Sequence, residues 1–202
     1  MAVSPDGRYV ATGGSDDNLV KVFEVEGGRE VRTITTTGGA TYSMGFTGDG
    51  KYLVGSQGDE YIRAWSVADG AEMKGFSRPI GYVHTYAFSR DGRIVAYPSA
   101  DGTIALADTT AWKDPSPAGT EPRKLEGHPG GTSFVSFSPS GRHLASTGVD
   151  GNLKVWEVSS GKVIREFQGL VGAGARIAFT ADGQSIVVAG ADDMIRVFGR
   201  KP

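Results

Sequence analysis

The sequence predicts an all-β repeat fold: five units of four short antiparallel strands, the last unit lacking its outer strand. Three observations predict it. A turn of the type Ser-Pro-Asp-Gly ends at Gly7, Gly50, Gly92, Gly141 and Gly183, at intervals of 43, 42, 49 and 42 residues. An aspartate precedes an alternating apolar run at Asp17, Asp59, Asp101, Asp150 and Asp192, at intervals of 42, 42, 49 and 42. Glycine makes up 31 of 202 residues with no three-residue period, a supply that many short strands joined by tight turns require. No segment sustains the 3.6-residue apolar period of an amphipathic helix.

Each unit reads the same way along the chain. An apolar residue precedes the first turn (Val3, Phe46, Phe88, Phe137, Phe179), and a small residue precedes that one (Ala2, Gly45, Ala87, Ser136, Ala178). Small side chains suit an innermost strand, where neighbouring sheets converge. Asp-Gly between two apolar runs predicts a tight hairpin of type I′, with positive φ at both central residues. A β-rich second strand follows, such as YVATGG or HLASTG, and then the aspartate turn. The third strand alternates apolar residues: Val20/Val22, Ile62/Ala64, Ile104/Leu106, Leu153/Val155 and Ile195/Val197. It ends on an aromatic at Phe23, Trp65, Trp156 and Phe198, with Ala107 the exception. Outer strands such as REVRTIT and KVIREFQG complete four units. The longer interval reflects an insertion in the third unit, whose Pro-rich stretch, residues 114–122, cannot pair in a sheet and is expected to project from the hairpin face.

Four short antiparallel strands repeated at this period describe a β-propeller blade. The fourth unit carries Gly127-His128, FSPSGRHLAS over Phe137–Ser146 and VDGNLKVWE over Val149–Glu157. On these residues the chain resembles the WD-repeat family. The resemblance implies one propeller domain, residues 1–202, with blades at about 1–34, 35–77, 78–125, 126–168 and 169–202. It also implies a structural network of His128, Ser146, Asp150 and Trp156, with Asp17, Asp59, Asp101 and Asp192 at matching positions. A carboxylate inside a dry blade must be hydrogen-bonded, and a satisfied network fixes register. The other units lack parts of it: Thr37, Pro79 and Leu170 stand in place of His128, and Thr12, Gly55, Tyr97 and Val188 in place of Ser146. Ser-His-Asp also spells a hydrolase triad. The aspartate recurs in every unit while the serine and histidine do not, which favours the structural role.

The family's contact positions lie at the start of each inner strand and just before the turn aspartate. Here they correspond to Tyr42, Tyr82, His84, Ser133, Asp16 and Val149. Trp112, at the start of the insertion, is either packed on its blade or a contact anchor. Aromatic side chains bury much area at low rotamer cost.

Lys and Arg number 21 against 23 Asp and Glu, a net charge of −2, so no basic field attracts nucleic acid or anionic lipid. No apolar run approaches the ~20 residues of a membrane helix. There is no cysteine, which excludes thiolate zinc and disulfides and accords with a cytoplasmic location. Three histidines without local pairing point to no metal site, and no motif calls for a cofactor.

Two arrangements suit five blades with ragged ends: a tight five-blade ring, or an open arc completed by further chain or by a second copy. The expected function is a non-catalytic scaffold that binds a protein or peptide on a propeller face. The alternatives are the propeller portion of a larger signalling or assembly protein and a five-bladed glycoside hydrolase, which needs a carboxylate pair.

Overall fold

The computed structural model describes residues 1–14, 17–59, 61–73, 78–79 (backbone only), 85–99, 101–109, 121–169, 176–190 and 192–199. Among them every regular element is a strand. The first sheet holds β1 (Ala2–Val3), β2 (Tyr9–Gly13), β3 (Leu19–Glu24) and β4 (Glu30–Thr35). The second holds β5 (Thr41–Phe46), β6 (Tyr52–Gln57), β7 (Tyr61–Ser66) and β8 (Arg78–Pro79). The third holds β9 (Ala87–Phe88), β10 (Ile94–Pro98), β11 (Ile104–Asp108) and β12 (Arg123–Leu125). The fourth holds β13 (Thr132–Phe137), β14 (His143–Gly148), β15 (Leu153–Glu157) and β16 (Val163–Phe167). The fifth has three strands, β17 (Arg176–Phe179), β18 (Ser185–Ala189) and β19 (Ile195–Gly199). All are antiparallel meanders. Arg78 and Pro79 pair with Ile62 and Tyr61, so the second sheet runs two residues beyond the boundary expected at 77. Most of the Pro-rich insertion, and Trp112 with it, lies outside the described residues.

One expectation fails at the hairpins. Positive φ occurs at Gly7, Gly50, Gly92, Gly141 and Gly183, but the only non-glycine described residues with positive φ are Asn18 and Asp193. The turns are therefore not type I′. The loop is longer: Gly7 N–H donates to Ser4 C=O at 2.9 Å, and Ser4 N–H donates to Tyr9 C=O at 2.9 Å. Four residues separate the flanking pair, so only the last turn residue needs the left-handed region.

The chain divides into two compact units. One comprises Met1–His84, Asp91–Arg93 and Asp108–Thr120; the other comprises Thr85–Arg90, Ile94–Ala107 and Glu121–Pro202. In the first, Ala11, Val20, Val22 and Ile34 of one sheet pack on Phe46, Leu53 and Trp65 of the next. In the second, Ile104, Leu106 and Leu125 pack on Phe137, Leu144, Trp156 and Val158, and Ala145, Leu153 and Val155 pack on Ile186 and Val188. The period of two decides this. Leu144 pairs with Trp156 and faces backward, while Ala145 pairs with Val155 and faces forward. Each fully buried Leu or Val contributes about 1.5–3 kcal/mol relative to exposure.

Candidate functional site

Two turns recur in every sheet and set the positions of the polar side chains. In the hairpin turn a hydroxyl accepts the backbone N–H five residues on: Tyr9 to Ser4, Tyr52 to Thr47, Ile94 to Ser89, His143 to Ser138 and Ser185 to Thr180, at 2.9–3.1 Å. In the second turn the aspartate carboxylate accepts the N–H two residues on: Leu19 to Asp17, Tyr61 to Asp59, Thr103 to Asp101, Asn152 to Asp150 and Met194 to Asp192, at 3.0–3.3 Å. This local side-chain-to-backbone bond is what aspartate supplies at a turn. It explains why the aspartate recurs where its longer-range partners do not.

In the fourth sheet the carboxylate opens a buried chain of bonds. His128 Nδ1 lies 3.0 Å from Asp150 Oδ1, and its Nε2 lies 2.7 Å from Ser146 Oγ. Trp156 Nε1 donates to the same Oγ at 2.7 Å. The proton positions follow from these partners. Burial pushes the His128 imidazolium pKa below its ordinary value, with the Asp150 charge opposing, so the ring is neutral. Facing a carboxylate, Nδ1 carries the hydrogen and donates. Nε2 therefore accepts, and the hydrogen it accepts is the Ser146 hydroxyl's. The indole N–H, which can only donate, takes a lone pair of that hydroxyl. Lys154 lies over the Trp156 ring at 5.7 Å and donates to Gly127 C=O at 2.9 Å, which ties the histidine loop to β15.

The other sheets solve the same turn differently. Asp59 and Asp192 each hold an arginine four residues on, Arg63 and Arg196, by two parallel bonds of 2.5–2.9 Å. These guanidinium bonds hold Asp59 below the usual carboxylate range and bring Asp192 to about 2. Asp101 takes Lys124 of β12 at 2.5 Å, and that bond, with Thr103 after it, lowers its pKa. These clamps escaped the sequence reading, although Asp-x-x-x-Arg stands twice in the chain. With Gly55 where the fourth sheet has Ser146, the benzo edge of Trp65 faces the glycine, about 3.0 Å from where a Cβ would sit. Its buried Nε1 has no acceptor among the described residues.

This geometry bears on chemistry. Ser146 is fully buried, and its hydroxyl is engaged by both Trp156 and His128. A nucleophile must meet substrate, and the Ser146 hydroxyl is enclosed in this structure. Among the described residues no three His, Asp or Glu side chains gather as metal ligands, and no helix is long and apolar enough to cross a membrane.

Of the candidate contact residues, Tyr42 and Val149 are exposed, at 58% and 55%. Ser133 is half-buried, and its carbonyl accepts the Thr85 hydroxyl at 3.1 Å. Asp16, Tyr82, His84 and Trp112 lie outside the described residues. Val149 stands on a loop pinned by its N–H to Gly131 C=O, 3.0 Å. Tyr42 sits on β5, its hydroxyl about 3.7 Å from where a Cβ would stand at Gly58, in the loop joining β6 to β7.

The family described as WD domain, G-beta repeat, matches this sequence over residues 1–24 and 119–157. The COMPASS component SWD3 of Saccharomyces cerevisiae is 30% identical over 167 residues, 82% of this chain and 52% of that protein. Subunit 5 of the transcription initiation factor TFIID of Caenorhabditis elegans is 24% identical over 196 residues, 96% of this chain and 29% of that protein. Protein tipD of Dictyostelium discoideum is 29% identical over 162 residues, 80% of this chain and 25% of that protein. The chain thus spans between a quarter and about half of the length of these relatives. Two of the three bear the names of parts of multiprotein complexes.

Proposed function

This chain belongs to the WD-repeat family, and on that premise we propose that it is a non-catalytic scaffold holding a protein or peptide through exposed loop side chains, Tyr42 and Val149 among them. The observation that carries the reading is the enclosure of Ser146. The one constellation that spells a catalytic triad lies inside a sheet stack, with its hydroxyl already engaged. What the surface offers is an exposed aromatic on β5 and an exposed apolar side chain on a loop pinned to Gly131, the kind of feature that anchors a partner. The test is a pull-down comparing wild type with a Tyr42→Ala, Val149→Glu double variant of equal thermal midpoint. Proteins retained by wild type and released by the variant support the reading; equal retention contradicts it. A glycoside-hydrolysing activity abolished by changing a single carboxylate would replace it with the enzyme reading.

A second reading draws on the names and lengths of the relatives. These repeats serve as the propeller portion of a longer assembly protein, whose other segments carry the remaining contacts.

A further inference from the structure

The hairpin turn of the fourth sheet departs from its siblings at one position. Before the turn glycine the other sheets carry an aspartate, Asp6, Asp49, Asp91 and Asp182, whereas the fourth carries Ser140. Each sibling carboxylate accepts the N–H two residues on, from Arg8, Lys51, Arg93 and Gln184, at 2.9–3.1 Å. Three of them also accept the hydroxyl that opens the turn, from Ser4, Thr47 and Thr180, at 2.5–2.7 Å. Two donors converging on one side chain favour its anionic form. The hydroxyl bond first, and the backbone bond after it, hold Asp6 and Asp182 below the usual carboxylate range.

The fourth turn keeps both donors and lacks the anion. Arg142 N–H reaches Ser140 Oγ only at 3.4 Å, and the Ser138 and Ser140 hydroxyls lie 3.1 Å apart. Arg142 is also the one cation after a turn glycine that has no carboxylate before that glycine. Ser140 and Arg142 are exposed. At Gly141, between them, a Cβ would stand no nearer than 3.9 Å to any neighbour, so the turn is uncrowded.

We propose that Ser140 is a phosphorylation site, at which a phosphate takes the part that aspartate plays in the four sibling turns. The phosphoryl donor is a nucleoside triphosphate held by a protein kinase. The Ser140 Oγ–P bond forms, the bond from the γ-phosphorus to the β–γ bridging oxygen breaks, the nucleoside diphosphate leaves, and the hydroxyl proton passes to a base of the kinase. A phosphoryl oxygen extends one bond beyond a carboxylate oxygen and can turn back onto the Arg142 N–H and the Ser138 hydroxyl. The Arg142 guanidinium, on the same turn, faces the remaining oxygens. The modification changes the charge of this turn from that of a lone arginine to net negative.

Two neighbouring serines lack these features. Ser138 precedes a proline, but it is 4% exposed and its Oγ already accepts the His143 N–H at 3.1 Å. Ser160 is exposed, but its hydroxyl donates to Glu157 at 2.6 Å, and a phosphate there would lie against that carboxylate. The Ser140 site is independent of the Tyr42 and Val149 contacts, and its test does not involve them.

Site-resolved mass spectrometry of the protein isolated from the cells that express it is expected to find phosphate on Ser140. In parallel, the 202-residue chain is made with phosphoserine installed at position 140 by nonsense suppression. Amide hydrogen exchange at Arg142 is expected to slow at least about threefold against the unmodified chain, the effect of a charge-assisted bond replacing a long neutral one. Ser140→Asp is expected to slow it in the same direction, and Ser140→Ala is not. Absence of phosphate from Ser140 in the isolated protein overturns the proposal, as does phosphate on Ser138 or Ser160 in its place. Exchange at Arg142 that is unchanged or faster with phosphoserine installed overturns it equally.

Discussion

Trp156 donates its indole hydrogen to the Ser146 hydroxyl at 2.7 Å, and that hydroxyl in turn serves His128. One buried oxygen on β14 therefore satisfies a group on β15 and another on the loop preceding β13. Removing it with Ser146→Ala leaves an indole donor and an imidazole acceptor without partners. Each unmade buried bond costs about 1–3 kcal/mol, so the variant is expected to lose roughly 2–4 kcal/mol. Urea unfolding with an unchanged m-value measures it.

The two buried tryptophans respond differently to loss of their N–H. Trp65 Nε1 has no acceptor among the described residues, whereas Trp156 Nε1 donates to Ser146. Both Phe variants lose ring volume, but Trp65→Phe also discards an unsatisfied donor. Trp65→Phe is expected to be milder than Trp156→Phe by about 1–2 kcal/mol. Equal costs in parallel thermal melts would contradict the assignment.

Burial holds the His128 imidazolium pKa below its ordinary value. Unfolded, the ring titrates near 6.5, so below that pH the unfolded chain binds the extra proton. The contribution is complete above about pH 6.5 and is lost as pH falls from there toward the folded pKa. His128→Gln is expected to flatten that slope in denaturation midpoints taken from pH 7.5 to 5. The clamped carboxylates act in a lower window. Asp192, brought down to about 2 by Arg196, contributes above about pH 4 and loses its contribution as pH falls toward 2. The two windows are separable in one pH series.

Two glycines with the same sign of φ differ in what surrounds them. Gly141, φ +69°, would place a Cβ no nearer than 3.9 Å to Ser89 Cβ, an ordinary contact, so Gly141→Ala is expected to cost only the left-handed penalty of about 1–2 kcal/mol. Gly127, φ +77°, would place a Cβ 2.1 Å from Gly102 C=O, a backbone atom that cannot swing aside. Gly127→Ala is expected to cost at least twice as much in chemical denaturation.

Much of the architecture is legible in the sequence because its markers are local. The glycine at the hairpin and the aspartate at the second turn each act on residues no more than a few positions away, and their spacing lays out the five sheets. What escapes the sequence is the loop geometry and the choice of distant partner. Asp6-Gly7 looks like a two-residue turn, but Ser4 and Tyr9 close the loop further out, leaving positive φ to the glycine alone. The aspartates look equivalent, yet Asp150 faces His128, Asp59 and Asp192 face arginines, and Asp101 faces Lys124. That choice depends on which side chain the third or outer strand or the preceding loop presents, which a repeat pattern does not encode. The orphaned indole of Trp65 follows from Gly55, a departure the sequence does show, but the ring's orientation is a packing outcome.

The claim that the Ser-His-Asp constellation is a structural tie rather than a reactive site is tested most directly by a double-mutant cycle of Ser146→Ala and Trp156→Phe. The account predicts a coupling energy of about 1 kcal/mol or more, together with no adduct at Ser146 when the folded protein meets a fluorophosphonate. Additive costs, or a covalent adduct at Ser146 in the native state, would contradict it.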